Sequence, residues 1–298
     1  MNKFIYLESK GSVCKLNDDE KTIERILEDD FTRHFIPDLR IMERLEQYDI
    51  EVTGNDLEVP VTINYPTAQY KLGLPSRDII SLCEYLLERN RQEKSGFYSL
   101  NSATASKNGD AITFFAGATN SGKTTSMLEL IEHGGFDFYS DEHSLLDLSH
   151  EKIVGGSRSI ATRKKILNDR LSNGNEFYLK EFDRSEKNAA LFIYPHLDHG
   201  LTNPIYYQFG PLDFHWLLSR EFGGVIRGVV KLTDNFRYPL PSLDTQELSE
   251  KRVNRTIEFS KKVPCYYFQG SLRQMSDFVR SKFEENDKRK WRKDLENS

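Results

Sequence analysis

Polar and apolar residues alternate through much of the first quarter of the chain. Residues 50–65 alternate around the turn signal at residues 53–56, a pattern that predicts strands. Upstream, the acidic run at residues 18–20 predicts the start of a helix that continues through Leu27. Residues 1–75 are therefore predicted to form a β-leaning α+β region with one or two helices, and the sequence does not indicate its role.

A longer helix and a strand hairpin follow this region. Residues 78–93 carry apolar side chains at helical spacing, and Ser76 is the expected N-terminal cap. Residues 97–106 and 111–116 are strand-like runs joined by residues 107–110, which contain an Asn-Gly pair. This pair tolerates positive φ at both central positions of a tight turn, so it predicts a β-hairpin.

The remaining pattern predicts further strands and helices around one core. In chain order we expect a helix after residue 123, strands at 136–140, 143–148, 189–194 and 225–232, and helices at 247–259 and 271–283. The mostly charged residues 284–298 are expected to be a solvated helix end or a frayed tail. These elements divide the chain into the N-terminal region, a core at residues 76–283, and the tail.

Composition and charge exclude several classes of protein. The 298 residues carry 41 Lys plus Arg against 46 Asp plus Glu, and this net charge of −5 argues against a nucleic-acid coat. No apolar run is long enough for a transmembrane helix, and the N-terminus reaches Glu8 before a signal-peptide core forms. The three cysteines are odd in number and far apart, as is typical of a reducing compartment. We therefore expect a cytoplasmic protein without membrane or nucleic-acid partners.

The segment from Gly117 to Thr124 matches the pattern G-x-x-x-x-G-K-[ST] at every position. Its glycines allow the backbone N–H groups to face phosphate oxygens, and the following helix adds the partial positive charge of its N-terminus. Lys123 can bridge the terminal phosphates, and the Thr124 hydroxyl can ligate Mg²⁺. Because the motif follows an apolar strand and opens a helix, it predicts a nucleotide site. The expected contact residues are Gly117, Ala118, Thr119, Asn120, Ser121, Gly122, Lys123, Thr124 and Thr125.

Two adjacent acids follow this loop after one helix and one short strand. Asp141 and Glu142 begin 17 residues after Thr124, so a single crossover could bring their strand beside the loop. Acids at such a strand end can hold Mg²⁺ or accept a proton from an attacking hydroxyl. A polar turn between two strands is the structural alternative for the same pair.

The order of these segments resembles HPr kinase/phosphorylase and its relatives, which share a nucleotide-binding core with phosphoenolpyruvate carboxykinase. The match runs from Leu86 to about Lys165 and includes the hairpin, the phosphate loop, residues 136–142 and the pair Gly155-Gly156. The resemblance implies an α/β fold with a P-loop kinase core of this type, which is a mixed sheet with flanking helices. It does not extend to residues 1–75.

The resemblance also implies roles for the two acids. Asp141 would be the catalytic acid/base, and Glu142 would lie beside it near the metal, with Thr124 as the other metal ligand. The chain differs from the family at two of these positions. Relatives often carry His where this chain has Asn101, and the bifunctional enzymes carry Asp where this chain has Glu142.

Cations near the motif complete the set of candidate catalytic residues. Lys123 is one, and Arg163 is the best candidate of the basic residues that follow the double glycine. A cation there can neutralise a phosphate in transfer. The same residues could equally form a solvated basic turn, and the sequence does not decide between these two interpretations.

Two hypotheses of different class follow. The first is an ATP- and Mg²⁺-dependent kinase that phosphorylates a hydroxyl on a Ser or Thr of a small protein or peptide, or on a small metabolite. The second is a nucleotide-binding regulator or assembly factor that transfers no group. Both use ATP and Mg²⁺ as ligands, and a homo-oligomer is compatible with either.

Overall fold

The alternating N-terminal residues form a six-stranded mixed sheet in the computed structural model, which describes residues 2–116, 121–161, 176–178, 185–228 and 240–296. Its strands are β1 (Asn2–Ser9), β2 (Ser12–Asp19), β3 (Arg40–Met42), β4 (Ile50–Asn55), β5 (Val61–Asn64) and β6 (Thr67–Lys71). They lie in the order β3-β1-β2-β4-β6-β5, with parallel pairs at β2–β4 and β4–β6. Buried and half-buried residues alternate along β2, because only one face of the sheet is covered.

Three helices accompany this sheet: α1 (Glu20–Glu28), α2 (Asp30–Phe35) and α3 (Ser76–Lys94). The predicted helix after residue 18 is confirmed as α1, and the Asp19 side chain caps it by accepting from the Thr22 N–H at 3.0 Å. The predicted helix at 78–93 is confirmed as α3. Apolar residues of α1, α2 and α3 share one hydrophobic core with the first sheet.

The cap expected for α3 was wrong. Ser76 is the first helical residue, and Pro75 before it takes the N-cap position without a side-chain hydrogen bond. The helix starts two residues earlier than predicted because Pro75, with its fixed φ of −59°, is already suited to a helix start.

The second sheet contains the predicted hairpin and has eight strands. They are β7 (Phe97–Lys107), β8 (Asp110–Phe115), β9 (Asp137–Ser140), β10 (His143–Asp147), β11 (Lys152–Gly156), β14 (Lys187–Leu197), β15 (Ile205–Gln208) and β16 (Cys265–Gly270); a separate pair is β12 (Ser159–Ala161) with β13 (Glu176–Tyr178). The order is β11-β10-β7-β8-β14-β16-β15, with β9 beside β7. Strands β8, β14 and β16 are parallel, so their carboxyl ends share one edge.

Helices cover both faces of the second sheet. They are α4 (Lys123–His133) and α7 (Leu272–Glu296) on one face, and α5 (Pro211–Gly224) and α6 (Gln246–Lys262) on the other. The expected hairpin turn is confirmed, since Asn108 and Gly109 both have positive φ. The fold is thus mixed α/β with two mixed sheets, and the predicted elements at 136–140, 143–148, 189–194, 247–259 and 271–283 are confirmed.

One predicted strand was wrong. Residues 225–228 continue from the end of α5 as turns, and residues 229–232 lie outside the described residues. The Ile226 side chain is fully buried, and its carbonyl accepts hydrogen bonds from Tyr85 and from the N–H of Leu243. A short apolar run has the same appearance in a buried turn as in a buried strand, so the pattern alone could not distinguish them.

A buried ion cluster joins α3 to strands of both sheets. The fully buried guanidinium of Arg91 donates to Glu88 Oε2 at 2.9 Å and to Ser9 Oγ at 2.8 Å, and it also pairs with Glu84. Glu88 in turn accepts from the backbone N–H of Ser99, at 2.9 Å, in β7. Burial raises the pKa of Glu84 to about 7 even though Arg91 opposes that shift.

The structure bears on two features that the sequence analysis used, the lack of a membrane-spanning helix and the state of the cysteines. Among the described residues, no helix combines the length and the apolar character needed to cross a membrane. The three cysteines, Cys14, Cys83 and Cys265, are buried free thiols.

Replacing Arg91 with Met is expected to lower the free energy of unfolding by about 3–5 kcal/mol, because it leaves buried carboxylates without their counter-charge. Chemical denaturation followed by circular dichroism measures this loss. Arg280→Met is the matched control, since Arg280 makes only an exposed ion pair with Asp277. A loss below about 1 kcal/mol in Arg91→Met would contradict the structural role assigned to the cluster.

Candidate functional site

Strand β8 leads directly into the predicted phosphate loop. Its six side chains are all buried, and Ala116 after it is also buried. The loop residues Gly117, Ala118, Thr119 and Asn120 lie outside the described residues. The description resumes at Ser121, and α4 begins at Lys123. The strand before the motif and the helix after it are therefore as the sequence predicted.

Gly122 meets two conditions that only glycine satisfies. Its backbone has φ of 98°, a left-handed conformation that L side chains rarely adopt. A Cβ at this position would also clash with the Leu197 side chain at the end of β14. The second glycine of the motif thus fixes both the turn into α4 and the close approach of β14.

The first turn of α4 has no capping side chain and no acidic residue. The Ser121 hydroxyl just before it is buried and has no hydrogen-bond partner among the described residues. Thr125 in the same turn is half-buried. Uncapped N–H groups and the helix dipole attract anions, so this turn is suited to phosphate oxygens.

Lys123 lies back against the start of the loop. Its Nζ donates to the carbonyl oxygen of Ala116 at 3.3 Å. Burial lowers the pKa of Lys123, while the charges of Glu142, Asp141 and Glu221 oppose the shift. A partly buried ammonium group held by one carbonyl gains much from an anionic ligand, because a phosphate compensates for the solvation that burial removed.

Thr124 and Asp141 are brought into direct contact. The Thr124 hydroxyl lies 3.0 Å from Asp141 Oδ1 and 3.2 Å from Oδ2, and the Asp141 residue is 1% exposed. Strand β9 pairs with β7 rather than with β8, yet its carboxyl end still reaches the first turn of α4. The strand of Asp141 is therefore not the neighbour of β8 that its distance along the sequence suggested, but the acid itself meets Thr124 at the start of α4.

The turn that carries the two acids is fixed by its own backbone. Glu142 has φ of 68°, which is unusual for a residue with a side chain. The N–H of His143 donates to the carbonyl of Asp141 at 2.9 Å, and the N–H of Ser102 donates to the carbonyl of Glu142 at 3.1 Å. The N–H of Asp141 donates to the backbone carbonyl of Ser157 at 3.3 Å. Such strained turns persist only where their surroundings hold them.

The roles of the two acids stay predictions, but the contacts bear on them. Thr124, the expected metal ligand, touches Asp141, and the charges of both acids act on Lys123. A hydroxyl and a carboxylate that meet at a phosphate loop are suitable oxygen ligands for Mg²⁺. The geometry thus favours Asp141 over Glu142 as the partner of Thr124 at a metal, which is the reverse of the order that the resemblance implies.

A cluster of buried hydroxyls lies behind this turn, and the sequence analysis missed it. The Ser144 hydroxyl contacts those of Ser102, Thr104 and Ser140 at 2.7 to 2.8 Å, and Thr104 continues the chain to Thr113 at 3.1 Å. The cluster ties β7, β8, β9 and β10 together next to Asp141. Small hydroxyl residues at alternate positions of β7 were the available signal, because alternate residues share one face of a strand.

The double glycine and the residues after it pack tightly around the same turn. A Cβ on Gly156 would clash with Ser140 and with the carbonyl of His143. The Ser157 hydroxyl donates to the carbonyl of Phe35 at the end of α2. Arg158 is 3% exposed, lies over the Tyr139 ring at 4.8 Å and pairs with Asp38. Arg158, the first basic residue after the double glycine, therefore makes a structural contact with the N-terminal region.

His143 was not among the candidates, although it follows the two acids directly. Its Nδ1 lies 3.2 Å from the Ser99 hydroxyl, and its ring packs against Phe35. Burial and the nearby Arg91 lower the pKa of His143 to about 4, so the ring is neutral near pH 7. A neutral, packed imidazole in this position helps to hold the turn of the acids.

The other predicted site residues have plain outcomes. Arg163 lies outside the described residues. Asn101 is exposed in β7 and pairs with His143 across the sheet. Within the described part of the chain, no three His, Cys, Asp or Glu residues are grouped as a metal site. One hydroxyl and one carboxylate could hold Mg²⁺ as part of a larger ligand set that includes waters and nucleotide phosphates.

Comparison with known proteins finds no family model and no curated protein that matches this sequence. The functional assignment therefore depends on the motif, on the resemblance noted in the sequence, and on the geometry of residues 121–125 and 140–142.

Replacing Glu142 with Gly is expected to raise the free energy of unfolding by about 1 kcal/mol, because glycine adopts positive φ without strain. Thermal and chemical denaturation measure the change. Glu151→Gly is a matched control, since Glu151 also has positive φ, of 49°, in a turn away from the site. If Glu142→Gly destabilises the protein while Glu151→Gly does not, relief of backbone strain is not the dominant effect at Glu142, and the prediction is wrong.

Proposed function

We propose that this chain is an ATP- and Mg²⁺-dependent kinase that transfers the γ-phosphate to a hydroxyl. The observation that carries the proposal is the 3.0 Å contact between the Thr124 hydroxyl and Asp141 at the uncapped start of α4. A chance match to the motif gives no reason for a buried acid to meet the motif threonine. A phosphate loop with a metal site requires that meeting.

The residues of the loop would bind the phosphates by charge and by directed N–H groups. The first turn of α4 offers N–H donors, and the Ser121 hydroxyl has no other partner among the described residues. The Lys123 ammonium group, which donates to the Ala116 carbonyl, could donate to a phosphate oxygen instead. One lysine and a helix N-terminus do not balance about four phosphate charges. Mg²⁺ held by Thr124 and Asp141 would supply the missing positive charge.

The acids would divide the remaining work. Asp141 would hold the metal together with Thr124, and Glu142 would accept the proton of the acceptor hydroxyl. In that step the acceptor oxygen forms a bond to the γ-phosphorus, and the bond from that phosphorus to the β–γ bridging oxygen breaks. The proton moves to the carboxylate, and ADP leaves with the bridging oxygen. Lys123 would stabilise the charge on the transferred group, and Arg163 remains a candidate for the same role.

The acceptor is proposed only by class. The resemblance to HPr kinases favours a Ser or Thr hydroxyl of a small protein or peptide, and a small hydroxylated metabolite is the other candidate. Catalysis of either transfer would depend mainly on positioning and charge neutralisation rather than on covalent chemistry by the protein.

A nucleotide-binding regulator is the second candidate, and one observation favours it. Ser157 and Arg158, directly after β11, contact the N-terminal region: Ser157 bonds to the carbonyl at the end of α2, and Arg158 pairs with Asp38. The carbonyl of Ser157 also accepts from the N–H of Asp141, so these contacts lie next to the turn of the acids. A change at that turn on nucleotide binding could reach the first sheet through these contacts. In this case ATP binds, and no phosphate moves to an acceptor.

Asp141→Asn is expected to weaken Mg·ATP binding at least tenfold and to leave metal-free ATP binding nearly unchanged, because only the metal-bound form uses this carboxylate. Glu142→Gln is expected to leave Mg·ATP affinity within about twofold and to lower phosphotransfer by about 10²–10⁴, the usual effect of losing a general base. Calorimetry measures the affinities. Transfer of ³²P from γ-labelled ATP into a Ser/Thr peptide library measures turnover.

The same experiment distinguishes the kinase from the regulator. Lys123→Ala is the control, and it should bind Mg·ATP weakly and transfer little phosphate. Normal Mg·ATP affinity and normal turnover in both acid variants would contradict the proposed roles of Asp141 and Glu142. The two acids would then be only a polar turn between two strands. Binding of Mg·ATP by the unaltered protein without any label transfer would favour the regulator.

A further inference from the structure

Strand β15 is an open edge of the second sheet. It pairs with β16 on one side, and no other strand of the described chain pairs with its other side. All four of its residues are exposed, although helices cover both faces of the sheet elsewhere. Because side chains on both faces of β15 are exposed, neither α5 nor α7 extends over this edge. The edge is therefore accessible to a further strand.

The surface around β15 is apolar and uncharged. Residues 200–212 contain no Lys, Arg, Asp or Glu. Edge strands of monomeric proteins commonly carry charges that prevent pairing with other chains, and β15 has none. Five of the nine large apolar side chains that are exposed in the described chain lie in this part of it: Ile205, Tyr206, Tyr207, Leu212 and Trp216. Such a concentration is typical of a surface that a partner covers.

The backbone of β15 directs two residues toward the open side. The N–H of Phe209 donates to the carbonyl of Cys265, at the start of β16, at 2.9 Å. Along an antiparallel pair, residues that bond to the partner strand alternate with residues whose N–H and C=O groups face away. Two residues before Phe209, Tyr207 therefore bonds to β16. Tyr206 and Gln208 present their N–H and C=O groups to the open edge.

These groups suit pairing of β15 with a second copy of itself. When two antiparallel copies are related by a two-fold axis at Tyr207, Tyr206 of each copy lies opposite Gln208 of the other. Each such pair exchanges two N–H···O=C bonds. Identical strands bring like residues together, and like charges there would repel, so an uncharged strand is required. Pro204 has no N–H, which limits the pairing to the strand itself.

The rings on the α5 face of the sheet fit the same register. Tyr207 stacks on Tyr267 with ring centroids 5.1 Å apart, and Tyr267 lies beside Tyr194 at 6.4 Å. Phe209 contacts Tyr207 edgewise, and 52% of Tyr207 is still exposed. In the two-fold register the two Tyr207 residues form a non-hydrogen-bonded pair, in which side chains lie closest. The row of rings would thus continue from one copy into the other.

The exposed area is sufficient for a small interface. An aromatic side chain has about 150–250 Å² of surface, so the half-exposed rings of Tyr206, Tyr207 and Trp216 offer roughly 300 Å². Leu212, one helical turn before Trp216 on α5, and Ile205 are 75% and 51% exposed. With them the apolar surface is roughly 500 Å² per chain, and two copies would bury about 1,000 Å², the lower limit for a specific interface.

We propose that β15 is the dimer interface of this protein, formed by antiparallel pairing with β15 of a second copy. The two eight-stranded sheets then form one continuous sheet across a two-fold axis at Tyr207. The candidate phosphate site lies at the end of β8, three strands from this edge, so the inference does not depend on the proposed function.

Sedimentation velocity of the full chain tests the proposal by measuring mass in solution. At about 100 μM, above the Kd expected for an interface of this size, the unaltered protein should sediment at twice its chain mass of 34.6 kDa. Tyr207→Lys and Tyr207→Glu should each sediment as monomers, because like charges meet at the two-fold axis. An equimolar mixture of the two variants should restore the dimer, since opposite charges then meet. Only a register that places residue 207 opposite itself predicts this restoration.

Gln208→Pro tests the backbone of the interface and leaves the rings unaltered. Proline removes an N–H that faces only the open edge, so the monomer keeps its own bonds and each dimer loses two. Dimerisation should weaken about tenfold. Val59→Lys is the matched control for the added charge, because Val59 is 51% exposed in the N-terminal region, and this variant should remain a dimer. Circular dichroism establishes that each variant is folded.

The remaining outcomes overturn the proposal. An unaltered protein that is monomeric at this concentration would leave the edge of β15 to a different chain. A dimer in folded Tyr207→Lys, or unchanged dimerisation of Gln208→Pro, would place the interface elsewhere. Folded Tyr207 variants that stay monomeric after mixing would refute the two-fold register. If the Tyr207 variants do not fold, Gln208→Pro decides the proposal alone.

Discussion

Arg91 carries a permanent charge with no access to solvent, so its partners must remain in place around it. Those partners belong to three parts of the chain. Ser9 ends β1, Glu84 and Glu88 lie on α3, and Glu88 also receives the N–H of Ser99 in β7. The Ser99 hydroxyl then contacts His143, which follows Asp141 and Glu142. The charge that joins the two sheets is thus connected, by hydrogen bonds, to the turn that presents the acids.

The candidate site combines this fixed turn with a helix start that lacks its own counter-charge. Gly156 allows β11 to pack against the turn, and the buried hydroxyls around Ser144 fill the space behind it. On the other side, Lys123 is partly desolvated and the first turn of α4 is uncapped. On the proposed function, this rigid acid and the electropositive helix start would together bind a phosphate chain with a divalent cation, because each supplies the charge that the other needs.

Local sequence signals predicted the elements well where one residue type decides the geometry. The Asn-Gly turn, the Asp19 cap and the strand–loop–helix order around the motif depend on neighbours in sequence, and the structure has all three. The apolar run at residues 225–228 was wrongly predicted to be a strand. In so short a segment, apolar residues look the same in a buried turn as in a buried strand. The hydroxyl cluster and the ion cluster at Arg91 include contacts between segments distant in sequence, such as Ser102 with Ser144 and Ser9 with Arg91. The packing of Gly156 depends on the close approach of Ser140 on another strand. The alternating hydroxyl residues of β7 indicate a polar face, but no local pattern identifies the partners that these side chains meet on other strands.

The most direct measurement of the central claim is the anomalous scattering of Mn²⁺, in place of Mg²⁺, in crystals of the full chain with ADP. The account predicts one Mn²⁺ peak within coordinating distance of the Thr124 hydroxyl oxygen and of an Asp141 carboxylate oxygen, about 2.0–2.3 Å, with the β-phosphate against residues 121–125. A Mn²⁺ peak elsewhere, or ADP bound away from the start of α4, would contradict it.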